Sequence, residues 1–357
     1  MFRFTDITCR PEAYCLLGEQ GPLSVSKSTS PVVENPQSEE CIDQVKAWID
    51  RCERTHQQCK TQEPSSLPIR VINVGSADGS VGPCLYISKG ESGKYAALSH
   101  CWGLNGPKLT TRRETLDRRK CGIDWSDIPK SFQDAIIVTR YLGLKYLWID
   151  SLCILQGDAE DWAQESGKMA SIYGSAYVVI SATSAKGSET GFLSSRPDDC
   201  AIKLKLGTDG ATYSVFARPA ILHTPFLGAG FQERRFTHPD YPLLERAWCF
   251  QERLLATRVL HFTRGETVFE CKAQSYCECG YLAGNNRFTY KSEDHNFRTG
   301  QRDYPLEDLW QDLVRIYTAH SLTYQTDVLS AFSGIAKSME PLRMGDYLAG
   351  LWSTQLL

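Results

Sequence analysis

The sequence lacks long hydrophobic runs, and this absence argues against a transmembrane helix. No stretch of about 18 or more apolar residues occurs, so no segment is predicted to span a bilayer. The N-terminal residues also lack the apolar run of a secretory signal peptide. We therefore expect a cytoplasmic protein, with its 14 cysteines as thiols in a reducing compartment.

An excess of charge of one sign is also missing. The 39 basic and 42 acidic residues leave a net charge of -3, which provides no electrostatic footprint for nucleic acid or anionic lipid. We therefore predict no nucleic-acid partner. A small-molecule substrate remains a candidate, because a balanced overall charge does not exclude a small anionic ligand.

Nucleotide and metal fingerprints are absent as well. The sequence has neither G-x-G-x-x-G after a strand nor G-x-x-x-x-G-K-[ST], so no resident cofactor is predicted. The residues that could in principle complete a zinc site fall into two groups more than 200 residues apart, and no C-x-x-C pair occurs. We therefore predict no metal site. These residues are Cys52, His56 and Cys59 in the first group, and Cys271, Cys277 and Cys279 in the second.

The central part of the sequence alternates short apolar strands with amphipathic helices. Strands are predicted at 95–98, 145–149 and 176–180, and helices at 129–142 and 158–173. This spacing is typical of parallel β-α-β units, and strands that are apolar on both faces indicate a sheet covered on both sides. The pattern predicts an α/β fold with a parallel sheet flanked by helices.

Three regions are predicted along the chain. Residues 1–40 mix proline, serine, glutamate and glycine without periodicity, which is typical of a poorly ordered lead-in. Residues 41–280 form the predicted α/β domain, with an inserted β region at about 196–245 where apolar and polar residues alternate. Residues 281–357 are predicted to form a C-terminal helical extension packed on that domain.

Polar side chains follow each predicted strand. The carboxyl ends of parallel strands meet at one edge, where ligands of open α/β sheets bind. We therefore expect these side chains to form a site. The candidate catalytic residues are Ser99, His100, Asp150, Cys153 and Glu165, and the candidate ligand-binding residues are Trp102, Gly103, Ser151, Trp162, Thr183 and Gln251.

Glu165 is the most specific of these candidates. At helical spacing it shares a face with Trp162, Met169 and Tyr173, and that face should pack on the sheet. A buried charge is costly unless it is paired, and burial would raise the pKa of Glu165 into a range that suits general acid or base chemistry. The alternative is a glutamate at the helix margin that pairs with a lysine or arginine.

The other candidates also have structural alternatives. Asp150 occupies a position where α/β enzymes place acids, or it caps the following loop. Cys153 and His100 could form a thiolate–imidazole pair across adjacent strand ends, or Cys153 could be a buried inert thiol. Ser99 lacks the G-x-S-x-G context of a hydrolase, as does Ser151.

Two further candidates are a possible stacking surface and a helical glutamine. Trp102 and Gly103 could offer a flat surface with close backbone approach, or cap the core. Gln251 shares a helical face with Trp248 and Leu255, which favours a packed helix with one polar contact.

Three segments form long and distinctive motifs: Tyr-Ala-Ala-Leu-Ser-His-Cys-Trp-Gly at 95–103, the stretch 128–156 with Trp-Ile-Asp-Ser-Leu-Cys, and Arg-Ala-Trp-Cys-Phe-Gln-Glu-Arg-Leu-Leu at 246–255. They resemble motifs of the fungal heterokaryon-incompatibility (HET) domain family. In the first motif a tyrosine often stands in place of His100. The resemblance implies a role in non-self recognition and regulated cell death, and a TIR/flavodoxin-like fold. Some TIR domains cleave NAD with a helix-borne glutamate, so NAD is a candidate substrate and Glu165 the analogous residue.

Three functions therefore stay open. The first is a cell-death effector that acts through NAD cleavage, or through self-association or binding of other incompatibility proteins. The second is a stand-alone HET-fold enzyme of fungal secondary metabolism, a cofactor-independent cyclase or isomerase that uses Glu165 or Asp150. The third is an interaction module without a catalytic cavity.

Overall fold

A computed structural model describes residues 11–15, 31–60, 65–196, 200–205, 212–219, 221–226, 239–284, 291, 305–342 and 345–355. In chain order the strands are β1 (Pro11–Cys15), β2 (Arg70–Asn73), β3 (Cys84–Ile87), β4 (Tyr95–Ser99), β5 (Tyr146–Trp148), β6 (Val178–Ser181), β7 (Cys200–Lys205), β8 (Thr212–Pro219), β9 (Arg258–Phe262), β10 (Thr267–Cys271), β11 (Ser275–Cys277), β12 (Tyr347–Leu348) and β13 (Leu351–Trp352). The α-helices are α1 (Glu39–Thr55), α2 (Leu116–Cys121), α3 (Lys130–Tyr141), α4 (Asp150–Cys153), α5 (Ala159–Ser166), α6 (Met169–Ser175), α7 (Ala247–Leu255), α8 (Tyr281–Gly284), α9 (Leu306–Thr318) and α10 (Ser330–Met339).

An eight-stranded sheet forms the centre of this mixed α/β fold. Its strand order is β11-β10-β9-β6-β4-β5-β2-β3. The four central strands β9, β6, β4 and β5 are parallel, and an antiparallel pair extends the sheet at each side. The predicted α/β fold with a parallel sheet is therefore confirmed at this level, and antiparallel strands extend the sheet at both edges.

The parallel register brings the strand ends to one level. Ala97 of β4 pairs with Trp148 of β5, and Ser99 pairs with Ser181 of β6. Every residue of β4 and β6 is buried, which accounts for the lack of apolar–polar alternation in these strands. The carboxyl ends of β4, β5 and β6 consequently form a common edge.

Helices cover the sheet through apolar stripes. Helix α1 buries Val45, Trp48 and Ile49 and contacts β10, while α3 contacts β5 and buries Phe132. Gly143 follows α3 with a φ of +70°, a conformation that favours glycine and ends the helix as its position in the sequence predicts. These contacts belong to one continuous hydrophobic core around the sheet.

The helix predicted at 158–173 is divided into two. Asp158 caps α5 by accepting a 3.1 Å hydrogen bond from the Asp161 amide, but α5 ends at Ser166 and α6 starts at Met169. A turn at Gly167 and Lys168 separates the two segments. Trp162, predicted to lie on the face that packs on the sheet, is 41 % exposed.

A second apolar core joins the C-terminal helices to the domain. Phe250 and Leu254 of α7 pack with Trp310 of α9, Ile335 of α10 and Trp352 of β13.

A separate three-stranded antiparallel sheet has the order β1-β8-β7. Its strands lie partly within the predicted lead-in and partly within the predicted β insertion. Among the described residues, no helix is long and apolar enough to cross a membrane.

Candidate functional site

The candidate site lies at the strand edge, which is the edge of the sheet formed by the carboxyl ends of β4, β5 and β6. Ser99 is the last residue of β4, Asp150 follows β5 by two residues, and Thr183 follows β6 by two residues. Since β4 lies between β5 and β6, the three segments converge at one edge of the sheet.

Asp150 forms the centre of a hydrogen-bond network at this edge. Its Oδ2 accepts a 2.7 Å bond from the indole Nε1 of Trp102, and its Oδ1 accepts a 2.6 Å bond from the Ser151 amide. The second bond is a contact with the adjacent residue and not an N-cap, since Asp150 is the first residue of α4 and Ile149 occupies the N-cap position. His100 Nε2 lies 3.9 Å from Asp150 Oδ1, beyond hydrogen-bond distance. Burial lowers the pKa of His100, so the imidazole is neutral at pH 7.

Glu252 of α7 is the acidic residue that reaches Ser99. Its side chain is 5 % exposed and lies near the hydroxyls of Ser99 and Tyr173. Burial raises the pKa of Glu252 to about 7; the charge of Asp150 adds to the rise, while the nearby Ser99 hydroxyl and Arg246 oppose it. A carboxyl that titrates near neutral pH can both accept and donate a proton.

Sequence reasoning does not single out Glu252, because its helix packs on two sides. Ala247, Phe250 and Leu254 of α7 face the C-terminal helices. Cys249 and Glu252, three positions apart, face the strand edge instead. That i, i+3 spacing is the signal that could have identified this second face.

Arg246, which precedes α7, supplies positive charge to the site. It is half-buried and acts electrostatically on Glu252, His100 and Cys101. Burial raises the pKa of Cys249 well above its usual value, and the charge of Glu252 raises it further, so this thiol stays protonated.

Several buried polar atoms near this edge have no hydrogen-bond partner among the described residues. His100 Nε2 and Glu252 Oε2 are two of them, and Ser151 Oγ and Thr111 Oγ1 are two more. Thr111 is tied to the same edge because its amide donates a 3.1 Å bond to the Ser151 carbonyl. Buried polar groups usually have partners, so a group of unpartnered ones indicates capacity for a ligand or water.

Glu165 is buried but already paired. It is 2 % exposed, and its Oε1 accepts a 2.9 Å bond from Lys168 Nζ, whose side chain is 41 % exposed. This pair corresponds to the structural alternative that the sequence offers. Glu165 is close enough to act electrostatically on Cys153.

Cys153 and His100 do not form the thiolate–imidazole pair that a nucleophile needs. No hydrogen bond joins them in the described parts of the chain, and burial raises the pKa of Cys153 to about 12. The Cys153 carbonyl instead accepts a 2.5 Å bond from Arg70 Nε, while Arg70 pairs with Asp161. The Cys153 thiol is therefore protonated, and the residue contributes to the structure through its backbone carbonyl.

The remaining candidates make structural contacts. Thr183 lies in the turn after β6, and its Oγ1 is 2.9 Å from Ser181 Oγ and 3.3 Å from His261 Nδ1. Gln251 Oε1 accepts a 2.7 Å bond from the Gly334 amide of α10. Gly103 has a φ of +85° and approaches the Gly187 backbone, and Trp162 is partly exposed on α5.

A recess of about 330 Å³ lies beside the loop that follows α4. Its walls include Arg113, Gln156 and Asp158, and Arg113 Nε donates a 2.5 Å bond to Asp158 Oδ2. The Gln156 amide bonds the Thr111 carbonyl, which links this recess to the strand edge. The polar recess therefore lies next to a segment that is hydrogen-bonded to the strand edge.

Comparison with known proteins identifies the segment that holds most of this site. Comparison with curated proteins gave no match, and comparison with solved structures gave none either. Residues 95–252 match the family model described as heterokaryon incompatibility protein (HET). The matched segment begins with β4 and ends at Glu252, so it includes Ser99, Asp150 and Arg246. The resemblance predicted from the sequence motifs is thereby confirmed for residues 95–252.

Proposed function

We propose that this chain acts in fungal heterokaryon incompatibility, the non-self recognition that leads to regulated cell death, and that its HET domain is a hydrolase with NAD as substrate. The family match supports the first part. The observation that carries the second part is Glu252, a buried carboxyl with a pKa of about 7 and one oxygen without a partner among the described residues. Strongly perturbed groups of this kind cluster at functional sites.

The strand order supports a TIR/flavodoxin-like assignment for the parallel part of the sheet. In chain order the four parallel strands are β4, β5, β6 and β9, and in space they run second, first, third, fourth. Flavodoxin-like sheets have this order, and they bind ligands between the first and third strands. Those strands are β4 and β6, and Ser99 at the end of β4 interacts with Glu252.

The proposed reaction needs a base and a positive charge. Hydrolysis breaks the bond between nicotinamide and ribose, water supplies the new oxygen on the ribose carbon, and the products are nicotinamide, ADP-ribose and one proton. The Glu252 carboxylate would take that proton from water. Arg246, half-buried next to it, would attract the pyrophosphate, and Trp102 would offer a ring for stacking.

The experiment is to incubate purified protein with NAD and to quantify nicotinamide by chromatography. We expect Glu252→Gln to reduce release by about 100-fold or more, the usual size of a general acid–base contribution. Glu160→Gln, an exposed change on α5, is the matched control and should behave like wild type. Thermal melting would show that each variant is folded.

Glu165→Gln separates our assignment from the one implied by the resemblance. If Glu165 is the catalytic glutamate, this variant loses activity while Glu252→Gln keeps it. If NAD stays intact at high protein excess, the hydrolase proposal is wrong. The HET domain would then act through self-association, which size-exclusion chromatography with light scattering would detect.

Glu252 also favours a second candidate, a cofactor-independent cyclase or isomerase of fungal secondary metabolism. A group with a pKa near 7 suits the proton transfers of such reactions, and Asp150 lies near enough to influence it. Metabolite profiles of a host that expresses wild type or Glu252→Gln would test this function. A product that disappears in the variant, with NAD consumption unchanged, would favour the biosynthetic enzyme.

A further inference from the structure

Four metal-ligating side chains meet far from the strand-edge site. Cys52 comes from the last turn of α1, His56 follows that helix, Cys59 lies in a 3-10 turn (Gln57–Cys59), and Cys271 ends β10. Their exposed fractions are 0 %, 8 %, 1 % and 0 %. The potential ligand atoms, three sulfurs and one imidazole nitrogen, all lie within 4.8 Å of one another.

These separations suit a tetrahedral zinc ion. Zinc bonds of about 2.3 Å to sulfur and about 2.0 Å to nitrogen place tetrahedral ligand atoms about 3.5–3.8 Å apart. Cys271 Sγ lies 3.3 Å from His56 Nδ1. A Cys₃His set is one of the common structural zinc sets, and it leaves no open position for a substrate.

The backbone around Cys271 is arranged to stabilise a thiolate. The Ala273 amide lies 3.5 Å from Cys271 Sγ as a donor, and the Gln274 amide lies 3.4 Å from it. Amide donors to negatively charged sulfur are the outer-shell contacts that orient ligands at metal sites.

Arg258 provides a matching countercharge. It is 1 % exposed, and its Nε lies 3.3 Å from Cys52 Sγ while its Nη2 donates a 2.9 Å bond to the Cys59 carbonyl. Within the described part of the chain, no carboxylate lies within ion-pair distance of Arg258. A zinc ion with three thiolates carries one net negative charge, which would compensate this buried cation.

We propose that Cys52, His56, Cys59 and Cys271 hold one structural zinc ion. Binding releases three thiol protons and joins α1 to the end of β10. Three of the four ligands lie before the HET segment and one lies after it. The zinc therefore ties the two flanks of that segment together at the side of the sheet away from Asp150.

A second buried cluster, His223, Glu266, Cys277 and Cys279, has a different character. His223 Nε2 and Glu266 Oε1 are 2.6 Å apart as an ion pair, and Glu266 Oε2 accepts a 2.9 Å bond from the Cys279 amide. Because these groups satisfy one another, we assign zinc to the first cluster alone.

The test compares two cysteines on one helix. Cys41 and Cys52 are both buried on α1, but only Cys52 belongs to the cluster; Cys41 donates a 2.8 Å bond to Glu278 instead. Zinc per chain is measured by plasma mass spectrometry after purification under reducing conditions. We expect Cys52→Ser to contain about one zinc fewer than wild type, and Cys41→Ser to match wild type. Equal zinc in Cys52→Ser and wild type would overturn the proposal.

A measurement on the wild-type chain covers the case in which a variant does not fold. Zinc is replaced by Co²⁺ after chelation, and the absorption spectrum is recorded. Tetrahedral cobalt with thiolate ligands gives intense visible bands and a sulfur-to-cobalt charge-transfer band. Their appearance, together with about one cobalt per chain, supports the site. Wild-type protein that contains no zinc as purified and gives no such bands refutes it.

Discussion

The indole nitrogen of Trp102 donates a 2.7 Å hydrogen bond to the carboxylate of Asp150. Trp102 belongs to the loop after β4, and Asp150 opens α4 after β5. The bond therefore connects the first two sequence motifs of the HET segment across adjacent strand ends. It holds the Asp150 carboxylate in the orientation from which its charge acts on Glu252.

Trp102→Phe tests the contribution of this bond. Phenylalanine keeps most of the ring but lacks the donor, and a hydrogen bond to a charged group contributes about 1.5–3 kcal/mol. We expect the free energy of unfolding in urea to fall by about that amount. Trp162→Phe, on a tryptophan that is 41 % exposed, should change it by less than about 0.5 kcal/mol. Equal effects of the two variants would contradict the role of the bond.

The pKa of Glu252 predicts a specific dependence of stability on pH. The folded-state pKa is about 7 and the ordinary value is 4.5, so the unfolded chain ionises first as pH rises. The buried carboxyl therefore destabilises the fold progressively between pH 4.5 and pH 7, by about 3 kcal/mol in total, and by a constant amount above that range.

Glu252→Gln removes this titration. Relative to wild type, the variant should gain about 3 kcal/mol of unfolding free energy when both are compared at pH 8 rather than at pH 4.5. Urea melts at the two pH values measure this difference. A difference between variant and wild type that is the same at both pH values would show that Glu252 has an ordinary pKa.

Thiol reactivity should separate Cys153 from Cys121. Burial raises the pKa of Cys153 to about 12, whereas Cys121 at the end of α2 is exposed. We expect iodoacetamide at pH 8 to alkylate Cys121 and to leave Cys153 unmodified in the native protein. Peptide mass spectrometry gives both extents in one sample. Modification of Cys153 at the rate of Cys121 would restore it as a candidate nucleophile.

Gly334 of α10 lies in a close contact with α6 and α7. A Cβ at this position would lie 2.3 Å from Ala170 Cβ and 2.6 Å from Gln251 Oε1. Gly334→Ala should therefore destabilise the protein by about 1–3 kcal/mol. Gly82→Ala, where nothing lies within 4 Å, is the matched control. A Gly334→Ala variant as stable as the control would mean that α10 packs differently.

The parallel strands could be predicted because their signal is local. The apolar stretches at β4, β5 and β6 are uninterrupted, and each is followed at once by polar residues such as Ser99 and Asp150. The parallel direction of these strands then follows, because strand–helix–strand connections usually form right-handed crossovers between parallel strands. At the antiparallel edges, β9, β10 and β11 pair with their neighbours in sequence, whereas β2 also pairs with β5, which is distant in sequence and cannot be predicted from a local pattern.

The site could be predicted only in part, because α7 packs on two sides and the sequence pattern does not show that Glu252 faces the strand edge. Glu165 has the sequence pattern of a buried acid, yet it pairs with Lys168. Glu252 has a less distinctive pattern, and burial between Ser99 and Tyr173 perturbs its pKa. In the same way Cys271 meets Cys52 through the strand order, which residue spacing alone does not contain.

Infrared difference spectroscopy of Glu252 tests the central claim most directly. The spectrum of Glu252→Gln is subtracted from that of wild type between pH 4 and pH 9, which isolates the stretch of one protonated carboxyl. We predict that this band is lost with a midpoint near pH 7. A midpoint near 4.5, the ordinary value for glutamate, would contradict the assignment of Glu252 as the proton-transfer group.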